Sequence, residues 1–235
     1  MEEVLEALRD DLKKSANPEY KKSGERFFRE KVTLYGIRSS EVQALSKKHF
    51  NLLPVKTKAI VFGLCENLWA SGMLEESFVA CNWSYSVKKQ YTRDDFQIFA
   101  DWVSNHVTNW ASCDTLCNHN LGLLLERFPD LVNELTTWTA SGNRWVKRGS
   151  AVSLIIPARK GMFLPEIFNI AERLLMDKDD MVQKGYGWML KAASQAHLDE
   201  VYNFVTERKS VMPRTAYRYA IEKMPPVMRA KAMEK

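Results

Sequence analysis

Two stretches in the second half of the chain share one pattern. "WVKRGSAVSLI" begins at Trp145 and "MVQKGYGWMLK" begins at Met181, so a valine, a polar residue, a basic residue and a glycine recur after 36 residues. The apolar segments around them begin at Leu131, Leu164 and Leu198, at offsets of 33 and 34. Helix pairs at such periods are typical of tandem helical repeats of the HEAT type, in which each pair buries one face on its neighbours. We therefore predict a curved superhelix whose second helices line a concave surface.

Composition agrees with an all-helical chain. The sequence is 46% hydrophobic with only 10 Gly and 8 Pro, and its apolar residues do not alternate as they do in strands. Residues 198–210, "LDEVYNFVTERKS", carry apolar side chains at i, i+3, i+4 and i+7, which is the pattern of one amphipathic helix. Similar units with short polar loops, among them "PEYKKSGERFFREKV" at residues 18–32, predict roughly twelve to fourteen helices. We expect an all-α repeat domain that covers residues 1–235.

Several classes of protein are disfavoured by the same sequence. The N-terminal "MEEVLEALRDDLKK" is too acidic for a signal peptide, and no apolar run is long enough to span a membrane. Four cysteines in a chain of this length do not form a disulfide framework. We therefore expect a soluble cytoplasmic protein with reduced thiols and no membrane partner. The four cysteines are Cys65, Cys81, Cys113 and Cys117.

The stretch "NWASCDTLCNHN", residues 109–120, allows a metal site, a thiol nucleophile or a carboxylate beside an aromatic ring. A zinc site is disfavoured because Cys113, Cys117 and His119 cannot converge from one helix. The thiols are better interpreted as small buried apolar residues than as nucleophiles. Trp110 and Asp114 are spaced i, i+4, which places the carboxylate one turn from the indole. An exposed Asp114 bonded to the first helical turn is the alternative.

Two further residues do not suit a plain core. Arg148 falls on the apolar side of its predicted helix, where a guanidinium needs a carboxylate partner, a route to the rim or a function. Trp188 lies beside Gly185 and Gly187, which suggests the close approach of another helix or of a stacked ligand. Trp110, Arg148 and Trp188 are separated by 38 and 40 residues. We expect them to meet on one concave surface, each contributed by one of three successive repeats.

Charge is distributed unevenly along the chain. Lys and Arg number 34 against 29 Asp and Glu, a net charge of +5. Residues 144–160 contain five basic residues and no acid, and residues 208–235 form a second basic stretch. Solvated helix faces and a surface that binds a polyanion both explain such stretches, and sequence alone favours the solvated faces.

With these residues in place, the chain resembles the AlkD family of bacterial DNA alkylation repair glycosylases, which are built from HEAT-like repeats. The similar stretches cover nearly the whole chain in matching order: "LYGIRSSEVQAL", "NWASCD", "NRWVKRGSA" and "VQKGYGWML". The resemblance implies a right-handed α-superhelix with a concave basic groove. It also implies a monomer that acts on double-stranded DNA containing alkylated bases, with no cofactor and no metal.

The resemblance also implies roles for individual residues. Asp114 takes the place of the catalytic carboxylate, Trp110 and Trp188 that of two indoles around the target deoxyribose, and Arg148 that of their partner arginine. The candidate DNA contacts are Phe27, Arg38, Ser39, Lys147 and Lys184. The chain departs from the family pattern at Phe27, where a tyrosine is frequent, at Arg38, where a polar amide is found, and at Asn109, where a second tryptophan can occur.

The function implied is hydrolysis of the N-glycosidic bond of N3-methyladenine and N7-methylguanine. Such bases carry positive charge and leave readily, so a carboxylate that stabilises the cationic sugar meets the main chemical demand. Two alternatives stay open at this point. One is a catalytically silent member of the class that binds branched or damaged DNA, and the other is a protein-binding helical scaffold.

Overall fold

The chain folds into helices throughout the part described by a computed structural model, residues 1–234. Its residues form sixteen α-helices with short 3₁₀ and π segments, and the β-pairing within these residues is one isolated bridge between Thr33 and Met73. The all-α prediction is confirmed. No helix of the described residues has both the length and the apolar character needed to cross a bilayer. The chain divides into two compact units, Met1–Thr115 and the residues from Leu116 onward; the prediction of one domain over 1–235 stays a prediction.

The first unit contains seven helices. Helices α1 to α7 are, in order, Glu2–Lys14, Pro18–Glu25, Ser39–Leu52, Lys58–Ala70, Leu74–Ser86, Asp95–Asn105 and Trp110–Thr115. Helix α1 shows why these segments are helical, because Leu5, Leu8 and Leu12 at i, i+3 and i+7 are its buried residues. Its first turn is acidic and its last turn is basic, which complements the helix dipole.

Polar contacts in the first unit join positions about one repeat apart. The indole N–H of Trp83 donates to the carbonyl of Ser46 at 2.9 Å across 37 residues of sequence. Lys58 and Asp95 form an ion pair at 2.9 Å, with the same sequence separation of 37. Because corresponding positions of successive helix pairs meet in this way, the repeat period read from the sequence is also the period of the contacts.

One predicted helix is shorter in the structure. The pattern "PEYKKSGERFFREKV" predicts a helix from residue 18 to 32, whereas α2 ends at Glu25. Beyond it the chain turns away so that the ring of Phe28 can stack on Trp110, at 5.5 Å between centroids. The prediction was wrong about this segment because its stabilising contacts come from a distant part of the chain.

The second unit contains the helix pairs that the repeated pattern predicts. Helices α8 to α16 are Gly122–Arg127, Val132–Trp138, Arg144–Val152, Ile155–Arg159, Leu164–Leu174, Asp180–Ala193, Leu198–Glu207, Arg214–Ile221 and Pro226–Met233. The segments read from Leu131, Leu164 and Leu198 are α9, α12 and α14, and each precedes a second helix, α10, α13 and α15. Helices α10 and α13, which carry the two quoted stretches, pack on each other, as do α13 and α15.

The same period appears in the contacts of the second unit. The ring of His197 is 3.0 Å from the carbonyl of Gly161, 36 residues earlier. Arg208 pairs with Glu172 at 2.6 Å, again across 36 residues. An array of helical repeats is therefore present in each unit when that unit is described by itself.

Gly187 of α13 allows the closest helix contact in the second unit. A Cβ atom built at Gly187 would lie 2.8 Å from the carbonyl oxygen of Ala216 and 2.8 Å from the Cβ of Tyr219, both on α15. Glycine in a helix is usually unfavourable relative to alanine. Its presence here follows from the approach of the α15 backbone, so close helix packing explains this glycine.

We expect Gly187→Ala to lower the free energy of unfolding by roughly 1–3 kcal/mol, because the new methyl group must push two backbones apart. The matched control is Gly63→Ala on α4, where a Cβ meets nothing within 4 Å. The control should raise the free energy of unfolding by about 0.5–1 kcal/mol, since it removes only the conformational cost of glycine. Urea unfolding measures both. Equal effects of the two substitutions would contradict the close contact.

Candidate functional site

Trp110 is the first residue of α7, and two contacts fix its indole. The ring N–H donates to the main-chain carbonyl of Phe27 at 3.2 Å, and the ring of Phe28 stacks on it with 23° between the planes. Trp110 is half-buried, while the side chain of Phe27 is 73% exposed. The structure thus places an oriented, partly accessible indole beside an exposed aromatic side chain.

The short helix that carries Trp110 and Asp114 is capped by Asn109. The side-chain carbonyl of this buried residue accepts from the backbone N–H of Ser112 at 3.0 Å, and its main-chain carbonyl accepts from Cys113. Such a cap satisfies N–H groups that have no partner within the helix. Asp114 follows Trp110 by one turn and is half-buried. The departure at Asn109 from a second tryptophan therefore has a structural role, because Asn109 defines where α7 begins.

The cysteines of the opening motif lie in the core. Cys113 and Cys117 are fully buried, and Cys117 belongs to a π-helical segment, Leu116–Leu121, rather than to an α-helix. A Cβ at Gly149 would lie 3.2 Å from the sulfur of Cys117, which shows how tightly this thiol is packed. Among residues 1–234, His, Cys, Asp and Glu side chains form no group of three or more with the geometry for a metal ion.

A buried carboxylate that the sequence did not reveal organises the chain before α3. Glu75, 2% exposed at the start of α5, accepts three backbone hydrogen bonds. The donors are the N–H groups of Tyr35 at 3.0 Å, Gly36 at 2.8 Å and Ile37 at 3.1 Å. In the sequence Glu75 is one of two acids in the first turn of a helix, a position where exposed acids are common.

The next carboxylate, Glu76, completes this arrangement. It is 1% exposed, accepts from the Tyr35 hydroxyl at 2.8 Å and pairs with Arg9 at 3.0 Å. Burial and the Glu76 carboxylate raise the pKa of Tyr35 above its ordinary value. At Gly36, φ is +86° and a Cβ would lie 2.5 Å from the carbonyl of Asn17, so only glycine fits. The segment 33–37, which we name the strap, is thereby held between α2 and α5.

The strap ends where two predicted DNA contacts begin. Arg38 occupies the N-cap position of α3 and is exposed, and Ser39 is the first residue of that helix and is also exposed. The N–H groups at the start of a helix favour anions, and an exposed guanidinium adds positive charge. The first unit therefore presents a cationic helix start at Arg38 and an oriented indole at Trp110.

In the second unit, the predicted Arg148 is a buried residue of α10. It is 5% exposed, and its guanidinium donates to the main-chain carbonyl of Met181 at 2.5 Å. A Cβ at Gly185 would lie 3.2 Å from the Cγ of Arg148. The glycine of the repeated pattern at 185 therefore makes room for the arginine, and Arg148 does not extend to the rim.

The two predicted lysine contacts of the second unit are engaged in ion pairs. Lys147 pairs with Asp177 at 2.5 Å, and Lys184 pairs with Asp180 at 3.1 Å. Arg144 pairs with Asp179 at 2.9 Å. The acids all come from the start of α13 and the loop before it. A phosphate would have to share these lysines with their carboxylates or displace them, so both stay predictions as DNA contacts.

Trp188 lies on α13 and is half-buried. Its two glycine neighbours face other parts of the unit, Gly185 toward Arg148 and Gly187 toward α15. Helix packing thus accounts for both glycines. The contact of the Trp188 indole with the sugar stays a prediction.

The helical repeats described above define an all-α repeat protein. Comparison with known proteins identifies its family. Residues 8–224 match the family model described as DNA alkylation repair enzyme, so the chain belongs to that family. The family resemblance is confirmed, and with it DNA as the class of substrate.

A solved structure shares the fold. It is described as "Predicted DNA alkylation repair enzyme from Enterococcus faecalis", and it is similar over 90% of this chain and 98% of that chain, with a TM-score of 0.77 and 17% identity. At this identity the likeness shows the fold alone. No curated protein matches the sequence.

Proposed function

We propose that the protein is a DNA glycosylase that hydrolyses the N-glycosidic bond of cationic alkylpurines such as N3-methyladenine and N7-methylguanine. The observation that carries the proposal is the pair on α7. An indole held by Phe27 and Phe28 stands one helical turn from a half-buried carboxylate. Family membership supports the class of chemistry, since the family is that of DNA alkylation repair enzymes.

The chemistry suits a carboxylate and an indole. When the bond between C1′ and the purine nitrogen breaks, the electron pair goes to the base, which leaves uncharged, and positive charge develops on the sugar. Asp114 stabilises this charge and orients the water that adds to C1′ and releases its proton to solvent. Because Phe28 covers one face of Trp110, the opposite face is the one proposed to pack against the deoxyribose, where the π electrons favour a cation.

The resemblance gives the second unit a part in the same reaction. Arg148 is proposed to support the reacting groups from its buried position, and Trp188 to contact the sugar. The exposed Arg38 and Ser39 are proposed as phosphate contacts and the exposed Phe27 as a contact to the strand, with Lys147 and Lys184 as further DNA contacts. We also propose that the protein acts as a monomer in the cytoplasm.

The test is an incubation of the protein with a duplex that contains one N7-methylguanine, followed by chromatographic detection of the released base. Release of 7-methylguanine well above the spontaneous rate is the expected result. The same duplex with guanine should release nothing, because a neutral guanine is a poor leaving group. Binding of both duplexes without release would indicate the catalytically silent member of the family instead.

A further inference from the structure

The two basic stretches of the sequence differ in how many of their charges are paired with acids in the structure. Acids outside the first stretch neutralise much of it, since Arg144, Lys147 and Lys160 all pair with carboxylates. Residues 208–234 contain seven Lys or Arg and only two Asp or Glu. Five of the seven are exposed and form no ion pair within the part of the chain that the structure describes: Arg214, Arg218, Lys223, Arg229 and Lys231.

Helices α15 and α16 place three of these cations, Arg214, Arg218 and Arg229, around a groove. One cleft of about 410 Å³ has Arg218 and Arg229 at its sides and Ile221, Ala230 and Met233 among its apolar lining. A second cleft of about 360 Å³ shares Met233 and is lined by Lys209 and Arg214. We call the two clefts together the α15–α16 groove.

The groove is a fixed part of the fold. The hydroxyl of Tyr217 donates to the carbonyl of Ala232 at 2.8 Å and ties α16 to α15. Two acids border the groove, Glu222 and Glu234, and Glu222 is engaged by Lys191 at 3.0 Å. The guanidinium of Arg229 donates to the carbonyl of Glu222 at 3.3 Å. Arg214, Arg218 and Arg229 therefore belong to ordered helices, and one of the two bordering acids is already paired.

One helix of the groove, α15, packs on the helix that carries Trp188. Helix α15 packs on α13 through the contact at Gly187, whose neighbour in sequence is Trp188. Arg218 directly precedes Tyr219, one of the two residues that Gly187 approaches. Within the second unit, α15 therefore contacts both the groove and the helix predicted to touch the sugar.

We propose that the α15–α16 groove binds the phosphate backbone of the DNA duplex, outside the residues assigned to the reaction; this rests on the proposed function for the presence of duplex DNA. Guanidinium groups bind phosphate oxygens through two parallel hydrogen bonds. Each phosphate neutralised releases counterions, so affinity gained in this way falls with salt. Duplex DNA is favoured over an acidic protein because the family's substrate is DNA.

The experiment compares salt-dependent binding of an unmodified duplex by the parent protein and by Arg218→Gln/Arg229→Gln. The slope of log affinity against log salt should become less steep by about 2, at roughly 0.9 per lost phosphate contact. Affinity near 0.1 M salt should fall on the order of tenfold. The matched control is Arg173→Gln/Lys178→Gln, which removes the same charge from exposed positions of the same unit outside the groove. It should change the slope by much less.

A second variant, Arg218→Lys/Arg229→Lys, keeps the charge and should retain most of the parental slope. This variant also provides a test if the glutamine variant fails to fold. An unchanged slope in the glutamine variant would overturn the proposal. An equal change in the control would also overturn it, since that result points to net charge alone. If the lysine variant loses as much slope as the glutamine variant while folded, the groove is likewise not a phosphate site. Absence of base excision by the parent would contradict the proposed function, but not the groove.

Discussion

Asp114→Asn should lower the single-turnover rate of 7-methylguanine release by about 10²–10³ while the protein still binds duplex DNA. The substitution keeps the size of the side chain and removes the charge that stabilises the cationic sugar. Binding to phosphates does not depend on that charge, so the affinity for an unmodified duplex should stay within about threefold. Rapid quench with excess protein measures the rate, and fluorescence anisotropy measures the affinity.

The matched control for this experiment is Asp101→Asn. Asp101 is an exposed acid on α6 of the same unit, and its side chain accepts from Gln97 at 2.8 Å. Its substitution removes the same charge from the same unit and should leave the excision rate within about twofold, because surface changes away from special features have small effects. An Asp114→Asn protein that excises within a few-fold of the parent would show that Asp114 is not the catalytic carboxylate.

The largest effect on stability is expected at Glu75. Glu75→Ala leaves three buried or part-buried N–H groups without their acceptor, and each such group costs about 1–3 kcal/mol. We expect the free energy of unfolding to fall by roughly 3–6 kcal/mol, a large share of the total stability of an ordinary domain. Glu75→Gln should lose about 2–4 kcal/mol, because its amide nitrogen would face one backbone N–H.

Urea unfolding measures the loss, and hydrogen exchange locates it. The amide protons of Tyr35, Gly36 and Ile37 should exchange faster in Glu75→Gln than in the parent, since the strap loses its acceptor. Glu6→Gln, at an exposed position of α1, is the control and should change stability by less than about 0.5 kcal/mol. If Glu75→Gln exchanges at these amides as slowly as the parent, the carboxylate does not hold the strap.

Local spacing was enough to predict the helix pairs of the second unit. The segments from Leu131, Leu164 and Leu198 are helices because their apolar residues repeat with the helical period, and that signal lies within each segment. The strap and residues 26–32 could not be predicted in the same way. Their backbone groups bind Glu75, about 40 residues away, and Trp110, 83 residues from Phe27. A short stretch of sequence around these residues does not include such distant partners.

Surface charge also depends on partners that are distant in the sequence. Residues 144–160 are basic in the sequence, but Asp177 and Asp179 before α13 neutralise Lys147 and Arg144, and Glu126 neutralises Lys160. Residues 208–234 have a similar excess of basic residues, and most of these form no ion pair among the described residues. The spacing of Trp110 and Asp114 along one helix was predictable because that relation is local. The effective charge of a helix face depends on acids that the fold brings from elsewhere.

Residue 27 has two separate roles: its main-chain carbonyl anchors Trp110, and its side chain is exposed. The indole is held by the carbonyl oxygen at that position, which every amino acid possesses, and not by the side chain. Substitution there can therefore alter what the exposed ring touches without releasing the tryptophan. Position 27 is in this sense open to variation in lesion or strand preference, and the phenylalanine found here in place of the frequent tyrosine is a change that the anchor tolerates.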